Sequence, residues 1–171
     1  MSVDKVREYL RSYGLEDRVM EFDISTATVA EAAEAVGVIP ARIAKTLSFQ
    51  SEECGCILVL MAGDAKVDNK KYRARFGVKP HMLTHEDALQ YTGHAVGGVC
   101  PFAVPDSVPV YLDVSLKRFD TVFPAAGSAA NSPAAITAAA ARLAVRSFRV
   151  PFKIYSSFKV NIINYHHTTT A

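Results

Sequence analysis

With 171 residues, 50% hydrophobic and 21% charged, the chain is long enough for one domain with a real core, and neither disorder nor a membrane protein is suggested. No apolar run approaches the roughly 20 residues that span a bilayer. The opening MSVDKVREYLRSYG is amphipathic and charged, unlike a signal peptide, so a cytoplasmic protein is expected. The net charge of +2 is unevenly placed: all 17 acidic residues precede residue 121, whereas 121–171 carry Arg142, Arg146, Arg149, Lys153 and Lys159 with no acid. A second basic cluster sets Lys66, Lys70, Lys71, Arg73, Arg75 and Lys79 against Asp68 alone. Such asymmetry hints at a polyanionic partner, with solvated helix faces the plain alternative for 66–79.

In chain order, Val3, Val6, Leu10 and Tyr13 share one helical face, and Gly14 follows as a stop. RVMEFDI (18–24) reads as a short strand. Thr28 caps VAEAAEAVG, an alanine-rich helix with Glu31 in the capping-box position and Gly37 just past its end. Pro40 opens a short turn that leads into the strand AKTLSFQ (44–50). CILVLMAG (56–63) is an unbroken apolar run ended by glycine, the pattern of a buried central strand. Lys70–Phe76 reads as helical, and Thr84 with Asp87 opens another helix. PVYLD (109–113) and FDTVFPAAG (119–127) supply two more strands. An alanine-rich helix is expected over 133–146, and two strand segments over 150–163. Helices and strands do not alternate regularly, which favours a single α+β domain over a doubly wound parallel sheet. No repeat or Gly/Ser-rich linker divides the chain.

Cys54, Cys56 and Cys100 cannot all pair within the chain, so reduced thiols are expected. No usual metal-ligand spacing occurs; His81 and His85 lack an H-E-x-x-H setting and read as surface histidines. Three stretches could carry chemistry. In ARIAKTLSF (41–49), Lys45 is the only charge after Arg42; it either snorkels outward or points into a cleft, where it suits a phosphate, a carboxylate or an oxyanion. In GHAVGGVCPF (93–102), Gly97, Gly98, Val99, Cys100 and Pro101 form G-x-x-x-P. Such a run can expose successive backbone N–H groups for a tetrahedral intermediate, or be an ordinary tight turn. Cys100 as a nucleophile would need a base, and His94 is the only histidine nearby. In FPAAGSAANS (123–132), Gly127 and Ser128 would let a ligand approach the backbone closely.

Taken in order, STATVAEAAEAVGV (25–38), IAKTLSF (43–49), LVLMAGDAKVDNKKY (58–72), TGHAVGGVCPF (92–102), VPVYLDVSL (108–116) and VFPAAGSAANS (122–132) resemble the YbaK-type family. These are free-standing relatives of the editing domain of bacterial prolyl-tRNA synthetases. The resemblance covers about residues 20–132. It implies an α+β fold whose curved, mostly antiparallel, barrel-like sheet is flanked by helices. It also implies a trans-editing aminoacyl-tRNA deacylase that needs no metal or organic cofactor and serves translation fidelity. The implied partners are the 3′ CCA end of a mischarged tRNA, tRNAPro among the candidates, and prolyl-tRNA synthetase; neither a membrane nor DNA is expected. Lys45 matches the family's required lysine, and Gly97–Pro101 match the loop whose backbone faces the aminoacyl carbonyl. Gly127 and Ser128 match the small-residue turn beside the pocket, and Phe22 and Thr26 lie where relatives line the amino-acid pocket.

Residues 133–171 depart from the family pattern: they hold no acid, are basic and aromatic, and end in HHTTTA. Two alternatives accompany the deacylase. One is a non-catalytic aminoacyl-tRNA-binding or regulatory module, which would be free to lose Lys45 and G-x-x-x-P. The other is a small-molecule thiol hydrolase using Cys100.

Overall fold

The computed structural model describes residues 3–127, together with the strand backbone of 134–137, 139–140 and 162–163. Helix α1 (Val3–Arg11) buries Val6 and Leu10, one turn apart on a single face, and Gly14 turns the chain with φ +66°. Strand β1 (Val19–Phe22) follows. Helix α2 (Val29–Val36) begins with a full capping box: Thr28 Oγ1 accepts the Glu31 N–H at 3.2 Å, and the Glu31 carboxylate accepts the Thr28 N–H at 3.1 Å. Gly37 ends it in the left-handed region.

The centre of the fold is the antiparallel hairpin of β2 (Ile43–Ser51) and β3 (Gly55–Ala62), in which Lys45 faces Met61 and Gln50 faces Cys56. Strand β3 is apolar at every position because both its faces are covered. Cys56, Leu58, Leu60 and Ala62 enter one core cluster, with Val110, Leu112, Leu116 and Val122; Ile57, Val59 and Met61 enter another, with Phe49 and Tyr72. Helix α3 (Asn69–Phe76) is anchored by the buried Tyr72, leaving its basic residues outward; α4 (His85–Thr92) starts at the Thr84 cap. Strand β4 (Val110–Asp113) then lies parallel to β3, and β5 (Thr121–Pro124) parallel to β2.

With the short strands β7 (Ala139–Ala140) and β8 (Ile162–Ile163), the order β7-β5-β2-β3-β4-β8 completes a mixed sheet, a half-barrel with four helices among the described residues. The architecture is α+β; its longest ladder is antiparallel and is flanked by parallel pairings. The expected helix over 133–146 is not formed where the chain is described. Strand β6 (Ala134–Thr137) pairs antiparallel with β1, and β7 (Ala139–Ala140) with β5. Alanine's helix preference is worth only fractions of a kcal/mol per residue, roughly 0.7 at most against ordinary residues, and the backbone of two strands needed partners. Strand β8 (Ile162–Ile163) pairs parallel with β4; the remainder of 150–163, and Arg142, Arg146, Arg149, Lys153 and Lys159, lie outside the described residues. Among the described residues, no helix is long and apolar enough to cross a membrane.

Candidate active site

Lys45 is the one charged residue within strands β2 and β3. Its ammonium donates to the Gly63 carbonyl at 3.0 Å and to the Ala65 carbonyl, both in the turn that follows β3. Burial lowers its pKa from the ordinary lysine value; Asp64 opposes that shift and Lys66 adds to it. The turn itself is held from two sides. Asp64 is gripped by both terminal nitrogens of Arg118, whose Nε donates to the Ser115 carbonyl at 3.0 Å. Gly63 passes so close to the Pro40–Arg42 turn that a Cβ there would lie 2.1 Å from the Pro40 carbonyl oxygen. An ammonium offers three donors, so two carbonyls leave one for a ligand.

Lys45 opens on a cleft of about 350 Å³. Its walls come from Thr26–Val29 and Ala32, from residues 43–48 of β2, from Met82–Leu83 and His85, from Val96, Gly97 and Val99, and from Phe123 and Ala125. The lining is mainly apolar, and among the described residues Lys45 and His85 are its only titratable side chains. Thr46 Oγ1 is buried with no hydrogen-bond partner among the described residues. Met82 and Val96 stand at this cleft although 59% and 40% exposed.

The structure thus brings Lys45, Thr26, Gly97 and Val99 to one cleft and leaves Phe22, Gly98, Cys100, Pro101 and Gly127 off its lining. Loop 93–102 starts where Gly93 ends α4 at φ +71°, and Gly97 bulges outward at φ +94°. The Gly98 N–H is spent on the Ala95 carbonyl at 2.9 Å, so the run of exposed amides is interrupted. The amides of Gly97, Val99 and Cys100 make no hydrogen bond among the described residues; Pro101 has no N–H and is buried. Cys100 is fully buried among Val6, Leu10, Val19, Phe102 and Ala126, and burial pushes its thiol up to about 12. A nucleophile must meet its substrate as a thiolate, and this sulfur meets neither condition.

Phe22 packs with Ala32, Ala33, Ile43 and Phe123, one layer behind the cleft wall. Gly127 is also buried behind the cleft, where its φ of +79° sets it against Val6 and His94; Ala125 takes the lining position. Ser128 lies outside the described residues. His81 and His85 are both exposed, and no group of His, Cys, Asp and Glu among the described residues is placed to hold a metal. Met82, His85 and Val96 were not singled out from the sequence as lining a cleft. The one signal available was an exposed Met between two histidines, which period-based reading does not reward.

A family model described as Aminoacyl-tRNA editing domain matches residues 24–143. The uncharacterized protein YwhH of Bacillus subtilis (strain 168) is 54% identical over 128 residues, 75% of this chain and 82% of that protein. "Putative Cys-tRNA(Pro)/Cys-tRNA(Cys) deacylase EbsC" of Enterococcus faecalis is 29% identical over 96 residues, 56% of this chain and 58% of that protein. A solved structure described as "a putative trans-editing enzyme for prolyl tRNA synthetase" superposes with a TM-score of 0.75 at 28% identity, covering 96% of this chain and 97% of that one.

Proposed function

The chain belongs to the aminoacyl-tRNA editing domain family, and on that premise we propose that it is a trans-acting deacylase that hydrolyses the ester of a mischarged tRNA. The observation that carries the proposal is the convergence of Lys45 with the Gly97 and Val99 edge on one apolar cleft. An aminoacyl ester is already activated, so what it requires is a positioned water and stabilisation of charge on the carbonyl oxygen. The unspent amides of Gly97 and Val99 are the proposed oxyanion donors, and the third Lys45 donor holds the phosphate or ribose of the tRNA end. Thr46 Oγ1 is left to meet a polar atom of the substrate. The exposed Met82 and Val96 give the terminal base an apolar shelf.

Water attacks the carbonyl carbon, and the bond from that carbon to the ribose oxygen breaks. The proton passes to the ribose oxygen, releasing a free amino acid and a tRNA with its terminal hydroxyl restored. The neighbouring ribose hydroxyl of the substrate is the proposed relay for that proton, since Lys45 is held by two carbonyls and His85 sits exposed. The EbsC likeness makes mischarged tRNAPro the first substrate to test. Prolyl-tRNA synthetase and a cytoplasmic setting fit the same reading.

The test is deacylation of a panel of aminoacyl-tRNAs by the wild type and Lys45→Met. Turnover of one or two members, reduced about a thousandfold in kcat/KM by the substitution, is expected; that corresponds to about 4 kcal/mol of lost transition-state stabilisation. Tight tRNA binding without turnover of any member would replace the deacylase by the non-catalytic module.

A further inference from the structure

Behind the cleft, a polar side chain is sealed in an apolar cluster. His94 is fully buried, and burial lowers its pKa. Its ring Nε2 lies 2.9 Å from the Phe102 carbonyl oxygen. A carbonyl only accepts, so Nε2 carries the proton and Nδ1 is a bare lone pair. Nδ1 is buried and has no hydrogen-bond partner among the described residues. On that edge sits Gly127: a Cβ there would be 3.1 Å from Nδ1 and 3.2 Å from Cε1. The His94 main-chain N–H is also fixed, by Thr92 Oγ1 at 3.1 Å, and Thr92 Oγ1 in turn donates to the Ala88 carbonyl in α4.

We propose that His94 is the positioning residue of the reaction: its ring ties residue 94 to residue 102, closing the loop that presents Gly97 and Val99, and seats the Gly127 turn on its other edge. The proposal rests on the deacylase reading for its consequence, and on the geometry alone for the tie. His94 does not line the cleft and touches no substrate, so it is no acid or base. Beside the buried Cys100 and Phe102 of that apolar cluster, an aliphatic side chain would fill the space without the cost of burying an imidazole. The ring's single N–H instead bridges eight residues of chain. Without that bridge, the ring of residue 94 no longer spans to residue 102; Thr92 Oγ1 at residue 94, the Gly98–Ala95 turn and the Cys100 Sγ contact with the Phe102 carbonyl do not replace that span, and glycine's freedom at φ +94° lets the loop take other shapes. An oxyanion donor displaced by an ångström loses its effect on the transition state while ground-state binding persists.

The test compares His94→Leu, which keeps bulk and removes the donor, with His94→Gln, whose amide N–H can reach the same carbonyl. On the aminoacyl-tRNA that the wild type hydrolyses, His94→Leu is expected to lower kcat by about thirtyfold or more with KM within about threefold, and His94→Gln to recover most of the rate. In the substrate-free protein, amide exchange at Gly97 and Val99 accelerates in His94→Leu and not in His94→Gln, and the ring nitrogen spectrum reports the Nε2–H tautomer. Wild-type kcat and exchange in His94→Leu, equal damage in both variants, or an Nδ1–H ring would each overturn the proposal. Should His94→Leu fail to fold, His94→Asn, whose shorter amide stops short of Phe102, supplies the same contrast with His94→Gln. If the wild type hydrolyses no aminoacyl-tRNA, the deacylase reading fails, and loop exchange alone decides the tie. Faster exchange restored by Gln sustains it, and unchanged exchange overturns it.

Discussion

The floor and the wall of the cleft are built by different means. The floor is the β2–β3 hairpin, where seven consecutive residues, Cys56–Ala62, are buried and alternate between two core clusters. Its place is set by apolar area, which is non-directional and spread over many side chains. The wall is loop 93–102, anchored in the core through Cys100 and Phe102 and shaped between them by single ties: the Thr92 hydroxyl, the His94 ring and the turn at Gly98. A floor of that kind tolerates the loss of any one contact at a cost in stability. A wall of that kind keeps the fold when a tie is cut and loses the geometry on which the chemistry depends.

The largest expected effect on stability tests the floor. Leu60→Ala removes a side chain that is 1% exposed in the middle of β3 and should cost roughly 3 kcal/mol of stability. Urea unfolding measures it. Deacylation per folded molecule should stay within about twofold, because the substitution opens a cavity beneath the strand and leaves Lys45 and its two carbonyls in place. A loss of turnover as deep as that of Lys45→Met in a protein that is still folded would erase the distinction between floor and wall.

The same contrast explains what could be read from the sequence. The unbroken run CILVLMA announced a central strand, and Thr28, Glu31 and Gly37 announced both ends of α2, because these signals are local or periodic. Lys45 stood out as a charge in an apolar segment. What was not legible depends on chain far away. Ala134–Thr137 became a strand because β1 offered an edge, and Gly98 lost its amide to a turn that no residue type demanded. Cys100 and Gly127 faced inward for the same reason: a loop has no period, so inside and outside along it are decided by tertiary packing alone.

A smaller effect sharpens the comparison at Lys45, where floor and chemistry meet. Burial depresses this lysine's pKa, so between the folded value and the ordinary 10.5 the unfolded chain holds more protons than the native one. Stability of the wild type relative to Lys45→Met should therefore rise with pH across that window, as the native ammonium sheds the cost of its partial burial. Activity should move the opposite way if the third ammonium donor holds the substrate, falling at lower pH than an exposed lysine would give. Parallel urea titrations and deacylation rates read both signs. A rate that follows stability upward would remove the charged ammonium from the proposed mechanism.

The smallest expected effect belongs to Cys100, the residue that a thiol mechanism would make indispensable. Its sulfur lies 3.4 Å from His94 Nε2 and 3.6 Å from the Phe102 carbonyl, in contact with the N–H edge of the ring and closed to the cleft. Burial lifts its pKa from 9.0 to about 12, so it stays a thiol at any pH where the protein works. Cys100→Ala should leave deacylation within about twofold and cost about 1 kcal/mol of stability for the small cavity. Iodoacetamide should label Cys54, the partly exposed thiol, before Cys100 in the native protein. Linkage gives an independent sign: between pH 9.0 and about 12 the unfolded thiol ionises while the native one does not, so burial at this position makes stability fall with rising pH. Cys100→Ala should flatten that alkaline loss. If it instead abolished turnover in a protein that still folds, the sulfur would have to reach the substrate through an opening of loop 93–102, and the wall would be a moving part of the reaction.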